Sequence, residues 1–331
     1  MNIISKRSSL GLAALLAISL TGCGGGSDSP GDGMGVLNLS VSDGGIDAAK
    51  VCIKFDGVQI KPTGEDPPIE IILDEPVTVN LLANQGANAQ PIIYEQIPAG
   101  TYEWIRLMVD AARGNDAGSI DTDRMEEQCL ADDGSYLLTE NEHYSLFIPS
   151  GDQTGLKLIK DIVVPANSSG DYTAEWDLGK SFIAPPGLAP DAIMKPVVKL
   201  VANNEVGTLV GQVADGLVLA DTCDPDFAPK VYVFDDGVPP NPIDYPPEDS
   251  DAPFEPDPND PVATGLVELQ DQGGGLMQYR YSIGFLLAGL YDPVYTCDGE
   301  TFVLPLDDQP EALIEAGETT TVDFEIDNSG G

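Results

Sequence analysis

Histidine is almost missing from this chain of 331 residues; His143 stands alone. A Ser-His-Asp enzyme would have to use it. A zinc site built on several imidazoles has no second one to draw on. The GxSxG elbow, the HExxH pair and the DxDxDG calcium loop are all absent. Within Glu140-Asn141-Glu142-His143-Tyr144 the histidine reads as a solvated strand-edge residue. Cations are scarce too: 15 Lys and Arg stand against 55 Asp and Glu, a formal charge of −40. A chain this acidic repels phosphate backbones, which excludes nucleic acid as a partner. With so many carboxylates, chance pairs are everywhere, so no particular pair marks a glycosidase. After residue 22 no apolar run approaches the roughly 18 residues of a membrane-spanning helix. These absences together argue for a protein that is not an enzyme.

What is present begins with Leu20-Thr21-Gly22-Cys23. It closes an apolar stretch from Leu10 to Leu20 that follows Lys6 and Arg7. A basic n-region, a short h-region and small residues at the cut describe a secretory signal. The order Leu-Thr-Gly-Cys resembles the lipobox of bacterial lipoproteins. Residues 1–22 are then the signal peptide, and Cys23 is the lipidated first residue of the mature chain. The resemblance implies an anchor in the bacterial cell envelope. Each buried acyl methylene contributes roughly 0.8 kcal/mol, so a diacylglyceryl cysteine with a third chain holds almost permanently. Gly24 is not the aspartate of an inner-membrane retention signal, so the outer membrane is expected. Residues 23–35 carry the lipid and a Gly-rich tether; by coil statistics its mean reach is about 20 Å. Loss of Lys6 and Arg7 takes the charge from −40 to −42.

Four cysteines remain after Cys23: Cys52, Cys129, Cys223 and Cys297. No two are spaced as a CxxC motif, and an even number in an exported chain favours disulfides. Three pairings exist. The even split between the two halves of the chain favours Cys52–Cys129 and Cys223–Cys297.

About 300 residues after the signal suit two domains better than one core. Leu37, Leu39 and Val41 alternate with polar neighbours; so do Val51, Ile53 and Phe55, and Tyr172, Ala174, Trp176 and Leu178. Further strand-like runs are Ile69 to Leu73, Val77 to Leu81, Tyr102 to Val109, Tyr144 to Ile148 and Val197 to Val201. After Asn203-Asn204-Glu205-Val206-Gly207 come Thr208 to Val213, Lys230 to Phe234, Gly265 to Leu269, Gln278 to Phe285, Val294 to Cys297 and Thr321 to Ile326. Turn signals punctuate them at Asp43-Gly44-Gly45, Asp56-Gly57, Ala99-Gly100 and Ser169-Gly170. Short strands with turn punctuation indicate antiparallel sandwiches. The expected fold is all-β, with two antiparallel β-sandwich domains, Ig-like or prealbumin-like, over residues 36–202 and 203–331. Thr122 to Cys129 and Asp308 to Ala316 have room for only short helices. Pro98-Ala99-Gly100-Thr101-Tyr102 and Leu287-Ala288-Gly289-Leu290-Tyr291 echo one another, a pattern read first as a sandwich corner.

The first half resembles the bacterial lipoprotein family of domain of unknown function 4382, over residues 35–201. The carriers are the run Gly35 to Asp43, the run Ile97 to Leu107, Trp176-Asp177-Leu178-Gly179-Lys180-Ser181, and Met194-Lys195-Pro196-Val197-Val198-Lys199. The resemblance implies an envelope-anchored β-sandwich, often continued by a second β domain, and implies no catalytic residue. Cys52, Cys129 and the Gly-Gly turn after Asp43 depart from the family pattern. The second half has a loose likeness to carboxypeptidase-regulatory-like or prealbumin-like sandwiches.

Two kinds of binding site fit the composition. The segment 238–261 holds nine prolines, seven acidic residues and no Lys or Arg. It reads as an extended surface loop. Hard cations want several oxygens, so Asp244, Glu248, Asp249, Asp251, Glu255, Asp257 and Asp260 are the candidate calcium ligands. Asp121, Asp123, Glu126 and Glu127, with Asp132 and Asp133 near Cys129, form a second acidic cluster. No cofactor other than calcium is expected. Trp104, Trp176, Tyr279 and Tyr281 are the candidate aromatic platform for a glycan. The expected role is structural, adhesive or binding; the partners are the membrane, through the lipid, and an envelope protein or glycan.

Overall fold

The protein's structure, a computed structural model, describes residues 33–44, 48–112, 129, 134–139, 143–149, 151–183, 191–225, 227–239, 257–306 and 311–326. Among the described residues twelve strands lie in the first half. They are β1 (Met34–Asp43), β2 (Lys50–Pro62), β3 (Ile69–Asn80), β4 (Gln90–Pro98), β5 (Gly100–Val109), β6 (Tyr136–Leu138), β7 (His143–Phe147), β8 (Leu156–Val164), β9 (Ser169–Trp176), β10 (Phe182–Ile183), β11 (Asp191–Met194) and β12 (Val198–Ala202). Eight follow: β13 (Val206–Val213), β14 (Lys230–Asp235), β15 (Ala263–Leu266), β16 (Glu268–Asp271), β17 (Met277–Leu287), β18 (Gly289–Thr296), β19 (Ala312–Ile314) and β20 (Thr319–Thr321). The chain is all-β. Sheet A runs β12-β9-β1-β4, and sheet B runs β10-β11-β7-β6-β2-β5-β8 with β3 also on β2. Sheet C runs β16-β17-β13-β20 and sheet D runs β15-β14-β18-β19. Among the described ladders β1–β9, β7–β11 and β13–β20 are parallel and the rest antiparallel.

Alternation decides which face each strand buries. Leu37, Leu39 and Val41 of β1 turn to one side, where Phe55, Ile60, Ile105, Leu107 and Trp176 meet them at zero exposure. Each such side chain is worth roughly 1.5–3 kcal/mol when fully buried. A second cluster joins Leu209, Val231, Val233, Ile283 and Phe324. The opposite face of sheet A is polar yet also buried: Ser40, Ser42, Thr173 and Glu175. The second half packs toward this side. Lys180 Nζ donates to the Pro261 carbonyl at 2.5 Å, and Lys199 Nζ donates to that of Val262. Gly86 and Gly284 meet backbone to backbone; a Cβ on Gly284 would lie 2.3 Å from the Gly86 carbonyl oxygen.

The two halves repeat one six-strand plan. In the first, β1 pairs parallel with β9 and antiparallel with β4, while β5 in the other sheet pairs with β2 and β8. In the second, β13 pairs with β20 and β17 in the same senses, while β18 pairs with β14 and β19. The registers agree at the ends of these ladders; between them the β1–β4 bulge falls at Leu39/Ser40 and the β13–β17 bulge at Gly207/Leu209. Met34 opposes Pro98 and Val206 opposes Leu287; Gly100 opposes Val164 and Gly289 opposes Ile314. Val36 opposes Ser169 and Thr208 opposes Thr319. Loop hydrogen bonds match as well. Asn167 N donates to Met34 O at 2.9 Å, as Gly317 N does to Val206 O at 2.8 Å. Asn167 and Gly317 both adopt positive φ, 57° and 77°. The two Ala-Gly-x-Tyr segments are the corners where the chain crosses from sheet A to B and from sheet C to D. In each, the tyrosine hydroxyl donates to the carbonyl four residues back, Tyr102 to Pro98 and Tyr291 to Leu287. The echo is therefore both a corner and the trace of a repeat.

Three local expectations are corrected. Asp56-Gly57 is not a turn: β2 runs through it with a bulge between Phe55 and Gly57. Ser169-Gly170 opens β9, the turn lying just before it. Within Asp308 to Ala316, β19 occupies Ala312–Ile314, because buried Ala312 and Ile314 flank exposed Leu313 with period two. The other short helix, Thr122 to Cys129, lies outside the described residues save Cys129.

Candidate functional site

An open groove of about 740 Å³ lies where β12 hands the chain to β13. One wall is the edge strand β8 with Lys160, Asp161 and Val163; Pro165 to Ser168 turn the chain into β9. The floor is the start of β9, Ser169 to Tyr172, and the other wall is Ala202 to Glu205. Parallel pairing places the start of β9 beside the start of β1, so Asn38 stands against Asp171. Asn38 Nδ2 donates to Asp171 Oδ1 at 3.0 Å and Ser169 Oγ donates to Oδ2 at 2.7 Å. Thr173 Oγ1 donates to Asn203 Oδ1 at 2.9 Å, and Asn203 N donates to the Asp171 carbonyl at 3.0 Å. Lys160 Nζ pairs with Glu205 Oε2 at 3.1 Å across the groove. That pair is solvent-exposed and adds little stability; it spans the two walls. The result is a carboxylate, an amide and an ion pair held in place by their neighbours. Such a set accepts from and donates to hydroxyl groups.

At the other end of sheet A lies a charged cluster in which Glu175, Asp177 and Lys180 are buried and Lys199 is exposed. Glu175 stands beside Lys199 in the ladder. Burial pushes its carboxyl up to about 7; Lys199 and Lys180 draw it down and Asp177 pushes it further up. Lys180 Nζ pairs with Asp177 Oδ2 at 2.8 Å. Asp177 also caps the turn Leu178–Ser181 by accepting from Lys180 N at 3.1 Å.

The residues singled out in the sequence fall in several places. Cys23 lies outside the described residues. Cys52–Cys129 and Cys223–Cys297 are disulfides, with Cα atoms 5.8 and 5.0 Å apart. Asp244, Glu248, Asp249, Asp251 and Glu255 lie outside the described residues, as do Asp121, Asp123, Glu126, Glu127, Asp132 and Asp133. Asp257 and Asp260 are described, and they close a turn on themselves. Asp257 N donates to Asp260 Oδ2 at 2.7 Å and Asn259 N to Asp257 Oδ1 at 2.8 Å. Among the described residues no three His, Cys, Asp or Glu stand together as metal ligands. His143 packs edge-on against Tyr136, ring centroids 5.1 Å apart. Trp176 and Tyr281 are core, and Tyr279 packs partly buried against the same core as Tyr281. Trp104 is also partly exposed, with Arg106 and Lys157 at 5.0 and 4.6 Å from its ring. The groove was missed. Its signal, Asn203-Asn204-Glu205, is as good a linker as a binding wall, and Asp171 is near it only through the fold.

Residues 34–196 match the model of a family described as a domain of unknown function, DUF4382. No curated protein matches the chain. Among solved structures it is similar to the Bacillus anthracis TIE protein, at 10% identity and a TM-score of 0.20. That match covers 88% of this chain and 34% of that one, so this chain spans about a third of the TIE protein's length. It is also similar to GBS52, the minor pilin of Streptococcus agalactiae: 11% identity, 87% and 94% coverage, TM-score 0.17. A third is BcpA, the major pilin subunit of Bacillus cereus: 11% identity, 88% and 99% coverage, TM-score 0.18. These TM-scores are too low to assign a shared fold, and the architecture rests on the ladders described above.

Proposed function

We propose, from the match of residues 34–196 to the DUF4382 family model, that the chain is a lipid-anchored, non-catalytic binding protein of the bacterial cell envelope. The lipobox-like Leu20-Thr21-Gly22-Cys23 supports the anchor, in the outer membrane by the glycine at position 24. The observation that carries the binding role is the groove between Asp171 and Asn203. Its polar groups are oriented before any ligand arrives, which lowers the ordering cost of binding. They are acceptors and donors suited to vicinal hydroxyls, with Val163 and Pro165 supplying apolar rim. The ligand class is therefore a glycan, and the role adhesive.

The test is a glycan array probed with the purified mature protein, followed by calorimetry on the strongest binder. Removing one oriented hydrogen-bonding group costs about 1.5 kcal/mol, near tenfold in affinity. Asp171→Ala and Asn203→Ala should each weaken binding about that much; Asn203→Ala also leaves the buried Thr173 hydroxyl without its acceptor and should lower the melting temperature, so affinities are compared below the transition of each variant. Trp104→Ala, on the outer face of sheet B, should change nothing. Binding lost with Trp104→Ala but kept in both groove variants would move the site; no bound glycan would end the reading.

A further inference from the structure

The repeat exposes one difference between the halves. In the first, β9 is covered on its outer side by β12, antiparallel, with Val198 opposite Trp176, Lys199 opposite Glu175 and Leu200 opposite Ala174. In the second, the segment equivalent to β9 is the strand β20 as far as Thr321 and then follows β13 less regularly, through an isolated bridge between Val213 and Phe324 and with Gln212 N donating to Asp323 Oδ1 at 2.9 Å. Val322 N donates to Val210 O, and Phe324 N to Gln212 O, both at 2.9 Å. Counting along the shared register, Phe324 stands where Ala174 does, Glu325 where Glu175 does and Ile326 where Trp176 does. No strand among the described residues pairs with the outer side of this segment. The consequence is visible in burial: Trp176 is 0% exposed and Ile326 is 44% exposed. Alternate N–H groups point each way from a strand. Those of Val322 and Phe324 face β13, so those of Thr321, Asp323 and Glu325 face outward. In the first half the outward side of this strand is used: Asn203 N donates to the carbonyl of Asp171, the counterpart of Thr321, at 3.0 Å, and Asp177 N farther along donates to Val197 O at 2.9 Å. A pocket of about 330 Å³ at the ends of β13 and β17, lined by Gln212 to Asp215, Gln278 and Tyr279, reaches this segment at Phe324 to Ile326.

We propose that the open edge from Thr319 to Ile326 binds an extended segment of a partner protein, laid antiparallel as β12 is laid on β9. The segment is apolar at alternate positions and carries a lysine or arginine opposite Glu325. The chemistry is read from the occupant of the equivalent edge, Val198-Lys199-Leu200-Val201-Ala202, and from charge. Residues 203–331 hold 27 acidic residues against Lys230 and Arg280 alone, so a cationic segment is favoured and an anionic one repelled. Backbone pairing supplies affinity and the alternate side chains supply selectivity. This site is separate from the groove and stands whether or not the groove takes a glycan.

The probe is a labelled, blocked peptide with the sequence of residues 196–203, titrated into the purified mature protein by fluorescence anisotropy. The chain's own β12 is tethered at high effective concentration, so the peptide does not displace it. Saturable binding is expected, with a scrambled peptide at least tenfold weaker. Thr321→Pro removes an outward N–H and leaves the β13 ladder intact, and should weaken binding at least tenfold. Glu325→Lys should weaken the parent peptide and strengthen one with glutamate in place of its lysine; this exchange also serves if the proline variant folds poorly. No saturable binding, or equal binding by the parent and Glu325→Lys proteins, overturns the proposal. A dimer in sedimentation that Thr321→Pro dissociates also overturns it, since the occupant is then a second copy of this chain.

Discussion

Glu175 is the residue whose behaviour the fold changes most. Its ordinary value is 4.5, and burial beneath the second half raises it to about 7. The folded chain therefore holds this proton through a window where the unfolded chain has released it. Stability is fully present below about pH 4.5 and falls as pH rises toward 7, by roughly 3 kcal/mol in the limit. Glu175→Gln should melt higher than the parent at pH 8 and nearly with it at pH 4.5. Parallel melting profiles for the two proteins across that range would contradict the assignment. None of this was legible in the sequence. Glu175 alternates with core residues as a solvated residue would, and only the packing of a second half makes that face an interior. The same is true of Gly86 and Gly284, which lie far apart in the chain and meet only because two backbones approach there.

Strands were the most legible elements, because period-two alternation is local. β1, β2, β5, β9, β13 and β17 all follow runs visible in the sequence. β8 was not visible: Lys157, Lys160 and Asp161 interrupt its apolar positions, since an edge strand shows one side to water. β3 runs unbroken from Ile69 to Asn80 where the sequence offers two runs parted by Glu75-Pro76. The corners were legible as corners, and their role as a repeat appears only in the ladders. Their tyrosines give an element-scale prediction. Tyr102→Phe and Tyr291→Phe each delete a hydroxyl that donates to a carbonyl four residues upstream, leaving that carbonyl short of a partner. Each should cost about 1 kcal/mol in denaturant unfolding, with m unchanged. A loss at one corner and none at the other would show that the two are not energetically equivalent.

At the scale of the whole molecule the halves are two versions of one plan, joined through a polar face and spread unevenly in charge. Apart from Lys230 and Arg280, every Lys and Arg after residue 22 lies between residues 50 and 199. Each half has its own disulfide, closing separations of 77 and 74 residues. In the chain-entropy model loops of that length are worth about 4 kcal/mol each. That pairing was legible because four cysteines split evenly between the halves. The groove and the open edge were not, because both are made by residues distant in sequence. The central claim remains the anchor, since a groove and an edge act on envelope partners only if the chain is held there. Intact-mass analysis of protein extracted from membranes tests it. The account predicts a mature chain beginning at Cys23 with a diacylglyceryl group and an added acyl chain, and a Cys23→Ala protein absent from the membrane fraction. A mature chain beginning elsewhere without lipid, or a Cys23→Ala protein still in the membrane fraction, would contradict it.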